Sequence, residues 1–191
     1  VLSYDDSRKH YAEGTEFCIA SLHLCGNTGT YVDAPVHRFR GGDDLAALPL
    51  ERVANVPAVV IDATGRADRG IGPEVVRGLD IAGRAVLFHT GWSRHWRTAQ
   101  YFEPHPFLTR SCCEALIAAS ALFVGIDSLN IDDTADGSRP AHTLLLGAGI
   151  PVCEHMANLA AVPRSGGHLH AVPIAWRGGT SFPVRAYILV G

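Results

Sequence analysis

A single domain that mixes buried strands with helices is what this sequence predicts, and three observations carry that expectation. Three short apolar runs, Val53 to Ala63, Arg84 to Thr90 and Leu122 to Ile126, have the length and β-branched composition of buried strands. Between the second and third, Thr109 to Ser120 has helical spacing, with Thr109 or Ser111 as cap and Leu116, Ile117 and Ala119 facing in. A chain of 191 residues suits one domain, 1–191, and at that size roughly 70% of the unfolded chain's surface can be buried.

The elements follow in order. Val1-Leu2-Ser3-Tyr4 reads as though a first strand precedes it, and the polar stretch to Glu16 has no period. Phe17 to Leu24 has strand composition and runs into a glycine-bearing loop, Cys25 to Thr30, so residues 27 to 37 are expected as a loop presented by a strand. After the Val53 to Ala63 strand and a Gly-rich turn, Pro73 to Gly78 suits a short helix, with proline in the first turn and glycine at the end. His142 to Gly149 reads as a second helix, and Pro151 to Glu154 as a strand or sheet edge. Leu169 to Trp176 and Ser181 to Val190 read as two strands around the hairpin-like turn Arg177-Gly178-Gly179-Thr180.

Bulk composition narrows the function. A net charge of -3 without a basic block argues against nucleic acid or an anionic membrane as partner and leaves a small-molecule substrate as the default. Hydrophobic residues make up 47% and charged residues 18%, which is short of charge for a monomer's surface and suggests apolar area shared with another subunit. Cys18, Cys25, Cys112, Cys113 and Cys153 contain no C-x-x-C pair, so a reducing, cytoplasmic setting fits. No apolar run approaches the roughly 18 residues of a spanning helix.

The densest polar cluster is Asn27-Thr28-Gly29-Thr30-Tyr31-Val32-Asp33-Ala34-Pro35-Val36-His37. Two readings stand side by side: Asp33 as the holder of a turn with His37 on the surface, or a catalytic carboxylate and imidazole flanking a rigid Ala-Pro step. Elsewhere, His89 with Trp92 and Trp96 could wall a pocket, although a packed histidine is the commoner outcome. Asp127 is expected to satisfy backbone groups after its strand, Cys112 and Cys113 to pack, and His168 and His170 to lie on the surface.

The segment resembles the H-x-G-T-H-x-D-x-P-x-H signature of the cyclase and kynurenine formamidase-like hydrolases, which include isatin hydrolase. Gly29, Thr30, Asp33, Pro35 and His37 match, while Asn27 and Tyr31 replace the two leading histidines. His89-Thr90-Gly91-Trp92-Ser93, Val124 to Asp127, His142 to Pro151, Glu154 with Ala157-Asn158-Leu159, and Phe182 to Arg185 follow in family order. The resemblance implies an α/β fold, a swivelling β/β/α domain, assembled as a homodimer or homotetramer. It implies hydrolysis of an amide, lactam or lactone, or closure of such a ring. His37 would be the proton shuttle, and Asp33, His142 and Glu154 the ligands of a divalent metal, zinc or manganese. With two histidines lost, a metal-independent cyclase or dehydratase and a binding-only pseudoenzyme remain as alternatives. Tyr31 would then be a hydrogen-bond donor to a substrate oxygen or a filler of the vacated pocket, and Asn27, His89 and Trp92 would contact substrate.

Overall fold

The structure, a computed structural model, describes residues Val1–Gly191. It contains three α-helices, α1 (Tyr4–Ser7), α2 (Arg110–Ala118) and α3 (Pro140–Gly147). Ten strands accompany them: β1 (Tyr31–Asp33), β2 (Val56–Asp62), β3 (Gly70–Ile71), β4 (Ala85–His89), β5 (Phe107–Leu108), β6 (Phe123–Ile126), β7 (Val152–Glu154), β8 (Gly167–His170), β9 (Ser181–Pro183) and β10 (Tyr187–Val190). Eight strands form one sheet in the order β10-β8-β2-β4-β6-β7-β1-β9, and β3 pairs with β5. The middle strands β2, β4, β6 and β7 are parallel, and the flanking pairs are antiparallel.

The continuous apolar runs of the middle strands follow from burial on both faces. Val86 and Phe88 of β4 join Val124, Ile126 and Val152 under α2 and α3, with Cys112, Leu116, Leu145 and Leu146. Ala85 and Leu87 alternate to the other face and pack with Val32, Val56, Phe123, Cys153 and Leu169. Gly125 leaves room on this second face, where a Cβ would lie 2.5 Å from Met156 Sδ. Thr109 caps α2 by accepting from the Cys112 N–H at 3.3 Å, a contact typically worth about 1 kcal/mol.

The outermost strands, β9 and β10, are joined only through Val184, Arg185 and Ala186. Four Cα steps of 3.8 Å reach about 15 Å at most, whereas eight flat strands would put the outer two about 34 Å apart. The sheet is therefore strongly curled, with its two edge strands no more than about 15 Å apart at that link.

Several expectations are corrected. Phe17 to Leu24 forms no strand: its one pairing is the bridge Leu2–Ile19, and Phe17, Ile19 and Leu22 are exposed, since no second strand lies alongside. Residues 31–33 are a strand rather than loop, sandwiched between β7 and β9. For the same reason β7 is interior, not an edge. The C-terminal hairpin does not form, because Pro173 ends the run after β8 and Pro183 ends β9, each lacking the N–H a ladder needs. Helix α3 starts at Pro140, ahead of His142.

Candidate active site

Register explains how the polar cluster assembles. Tyr31 lies opposite Glu154 of β7, and Asp33 lies opposite Ser181 of β9. Residues 31 and 33 share a face, so four polar side chains meet on the face that α3 covers. The Tyr31 hydroxyl donates to Glu154 Oε2, and the Ser181 hydroxyl donates to Asp33 Oδ1. Asn27 Nδ2 adds a bond to the same Asp33 oxygen at 3.3 Å. The second oxygen, Asp33 Oδ2, is buried without a hydrogen-bond partner, and His142 Nε2 stands 3.6 Å from it.

His142 is aimed from its far side. Its Nδ1 lies 2.6 Å from Asp132 Oδ2, and Asp132 also accepts from the N–H groups of Ala141 and His142 at 2.6 and 3.1 Å, capping α3. With Nδ1–H committed to Asp132, Nε2 faces both Asp33 and Glu154 Oε1, the latter at 3.7 Å. A carboxylate behind an imidazole is the usual way a metal-binding histidine is oriented. Burial pushes the His142 pKa down, but Asp132, Asp33 and Glu154 outweigh it and hold the group at about 10.

Glu154 Oε1 also accepts from the Ile131 N–H at 2.6 Å, and Asn130 Nδ2 approaches Oε2 at 3.4 Å. Burial raises its carboxyl to about 7 against the pull of the His142 charge. Burial, then Glu154 and Asp33, push the Tyr31 phenol far above its ordinary value, so Tyr31 keeps its proton and points it at Glu154 in a hydrogen bond. That spends the donor expected to serve a substrate oxygen.

Asp33, His37 and His142 present ligand atoms within 4.8 Å of one another. The compact triad thus includes His37 where the sequence suggested Glu154. A carboxylate and two imidazoles suit a divalent ion such as zinc or manganese, and the unpartnered Asp33 oxygen gives such an ion a place. The residues fit the group.

Donor counting also fixes His37. Ser181 is 1% exposed and spends its proton on Asp33, so at 3.1 Å its oxygen accepts from His37 Nδ1–H. This assignment leaves Nε2 with the free lone pair. His37, with 32% of its side chain exposed, opens onto a cleft of about 270 Å³ lined by Asn27, Tyr31, Arg38, Asn130, Arg139 and His142.

Neither His89 nor Trp92 reaches this cleft. His89 ends β4 beside Asp62, and the Trp92 indole donates to the Tyr101 carbonyl at 3.1 Å. An adjacent cavity of about 320 Å³ is lined instead by Trp96, Tyr101, His155 and Met156. There His155, lowered to about 4 by burial, accepts from the Tyr101 hydroxyl at 2.8 Å. A larger cavity, about 550 Å³, lies away from the cluster, and its charged groups pair with one another, Arg84 with Asp80 and Arg164 with Asp62.

Ser181, Asp132 and His155 were missed in the sequence. Asp132 had little signal, since it stands eight residues before Pro140 and both Asp133 and Asp136 are nearer the helix. Ser181 had none.

Residues 3–133 match the model of the Cyclase family, described as "Putative cyclase". The chain belongs to the Cyclase family. A kynurenine formamidase of Salinibacter ruber is 35% identical over 173 residues, 89% of this chain and 79% of that protein. A solved structure described as a potential metal-dependent hydrolase with cyclase activity superposes with a TM-score of 0.76 at 29% identity, covering 87% of this chain and 80% of that one. Isatin hydrolase A from Labrenzia aggregata, bound to benzyl benzoate, gives 0.75 at 28% identity over 85% and 72%. This Cyclase-family chain is accordingly an enzyme of the hydrolase class with a mixed α/β fold built on one curled sheet. No helix is long and apolar enough to cross a membrane.

Proposed function

We propose that the enzyme hydrolyses an amide or lactam bond of a small molecule, with the Asp33, His37 and His142 cluster as its catalytic centre. The carrying observation is the buried Asp33 oxygen that faces His142 without a partner while His37 presents a free Nε2 to the same cleft. Asp33 and His142 would hold a divalent ion, joined by the remaining lone pair of Glu154 Oε1; such an ion supplies Lewis-acid polarisation of a carbonyl. His37 accepts a proton at Nε2 as a water oxygen bonds to the carbonyl carbon. It returns that proton to the leaving nitrogen as the C–N bond breaks, giving a carboxylic acid and an amine. Ser181 keeps the imidazole in the required tautomer throughout, and Tyr31 with Asn27 holds the two carboxylates in place. The formamidase and isatin hydrolase relatives support the choice of bond.

The test is turnover of an N-formyl aryl amine and of a fused aryl lactam by protein supplied with zinc or manganese, alongside elemental analysis. Hydrolysis of at least one compound, with one ion per chain and loss of both ion and turnover in Asp33→Asn, is expected. Two tightly held ions per chain would displace the ligand assignment, and a metal-replete protein inert on both compounds would displace the reaction.

A further inference from the structure

We infer that the substrate of this cleft carries a carboxylate, received by Arg38 and Arg139 at the mouth; the inference rests on the hydrolytic reading for what happens next to it, not for the binding itself. Both arginines line the same cleft as His37 and His142. Neither is paired with an acid. Arg38 Nε reaches the Thr143 hydroxyl at 3.0 Å, and Arg139 Nη1 reaches the Asn130 side-chain oxygen at 3.1 Å. These are neutral acceptors that occupy one donor on each guanidinium and leave most of the five free. Arg66, Arg69, Arg84 and Arg164 each sit on a carboxylate within 3.1 Å, whereas Arg52 and Arg94, like this pair, meet only neutral acceptors; what sets Arg38 and Arg139 apart is that both line the cleft of His37 and His142.

The acids nearest in the site do not neutralise the pair. Asp33, Asp132 and Glu154 are wholly buried and face His142, and none forms an ion pair with either arginine. Arg139 is placed at some cost: it holds φ 47°, ψ 61° just before Pro140, a left-handed conformation that strains a side-chain-bearing residue. Its amide-bound guanidinium is also anchored through Asn130 to Glu154, so the rim is fixed relative to the reacting groups. Two guanidinium forks without an acid partner, over an opening whose wall also carries the His142 imidazole, mark a place for a planar anion, and the fork matches a carboxylate with two parallel N–H···O bonds.

Calorimetric titration of the whole chain with anthranilate, against aniline as neutral counterpart, tests the inference directly. Anthranilate is expected to bind better than aniline and to lose at least about tenfold in affinity in the double variant Arg38→Gln with Arg139→Gln, because the charge-assisted bonds are lost; lysine at both positions should recover part of the loss. The single variants report separately should the double variant not fold. Equal binding of the two compounds, equal binding by parent and variants, or tighter binding of inorganic phosphate overturns the inference. Kinetics then separates it from the reaction. A parent preference in kcat/KM for N-formylanthranilate over formanilide that falls towards one in the double variant supports both. Equal turnover of the two sinks the carboxylate and leaves hydrolysis standing. Arginine-dependent binding of anthranilate with neither compound turned over supports the carboxylate and sinks hydrolysis.

Discussion

Asp33 and Asp127 are both fully buried acids at the ends of sheet strands, and they differ in how their oxygens are used. Asp127 accepts from the Thr90 N–H at 2.8 Å, the Thr90 hydroxyl at 2.5 Å, the Gly91 N–H at 2.9 Å and the Ser93 hydroxyl at 3.4 Å, which fills both oxygens. Asp33 has donors on Oδ1 alone, from Ser181 and Asn27, and its Oδ2 has none. A buried carboxylate with every lone pair answered works as a staple between loops. One that is half answered leans on the His142 imidazole 3.6 Å away and leaves an oxygen that a further cation or donor can use.

The largest effect that tests this contrast is in Asp33→Asn. Turnover should fall by roughly 10²-fold or more, while stability falls only through loss of the ion pair with His142, because an amide oxygen can replace Oδ1 and no donor is bonded to Oδ2. Asp127→Asn should invert the pattern: its new NH₂ meets the Gly91 N–H, and unfolding free energy drops by about 2 kcal/mol, read by thermal or denaturant melts. If the Asp127 variant melts like the parent, the staple reading fails. Ser181→Ala comes next. Without an acceptor for Nδ1, His37 divides between tautomers, and kcat should fall about tenfold with little change in melting; nitrogen-15 shifts of the imidazole give the tautomer independently of rate.

The smallest effect concerns imidazoles, where the contrast repeats. His142 has Asp132 behind it, whereas His105, 1% exposed, has the Pro106 carbonyl at 3.0 Å on Nδ1 and nothing on Nε2. Burial lowers the His105 pKa below its ordinary value of 6.5. The unfolded chain then binds the proton more readily, so stability is full above about pH 6.5 and falls as pH drops below it. One group can contribute a slope of at most about 1.4 kcal/mol per pH unit. Melting His105→Gln against the parent between pH 7 and 5 should show a shallower decline in the variant, and parallel curves would remove His105 from the account.

Legibility from sequence followed the range of the interactions. Val56–Asp62, Ala85–His89 and Phe123–Ile126 were readable because burial on both faces leaves an unbroken apolar run, and Thr109 because a cap acts within three residues. Asp127 was read as a holder of backbone groups, and its bonds agree. Tyr31–Asp33 could not be read as a strand: it is three residues long, two of them polar, and the strands that make it one lie more than a hundred residues away. The motif directed attention to Asp33 and His37, which the structure brings together with His142. It did not foresee that Tyr31 would bond Glu154, nor that Ser181 would stand between Asp33 and His37, because cross-strand register decides both and leaves no trace in local composition.

The short link between β9 and β10 has a consequence for how the enzyme comes into being. During synthesis the ribosome releases β1 early, but the strand that answers it on one side, and the serine that orients its histidine, emerge about 150 residues later. The same late segment then turns within three residues to seal the sheet's opposite margin along β8. Completion of the active centre and the addition of both outermost strands are thus a single late event, and a nascent chain stopped before Ser181 has neither.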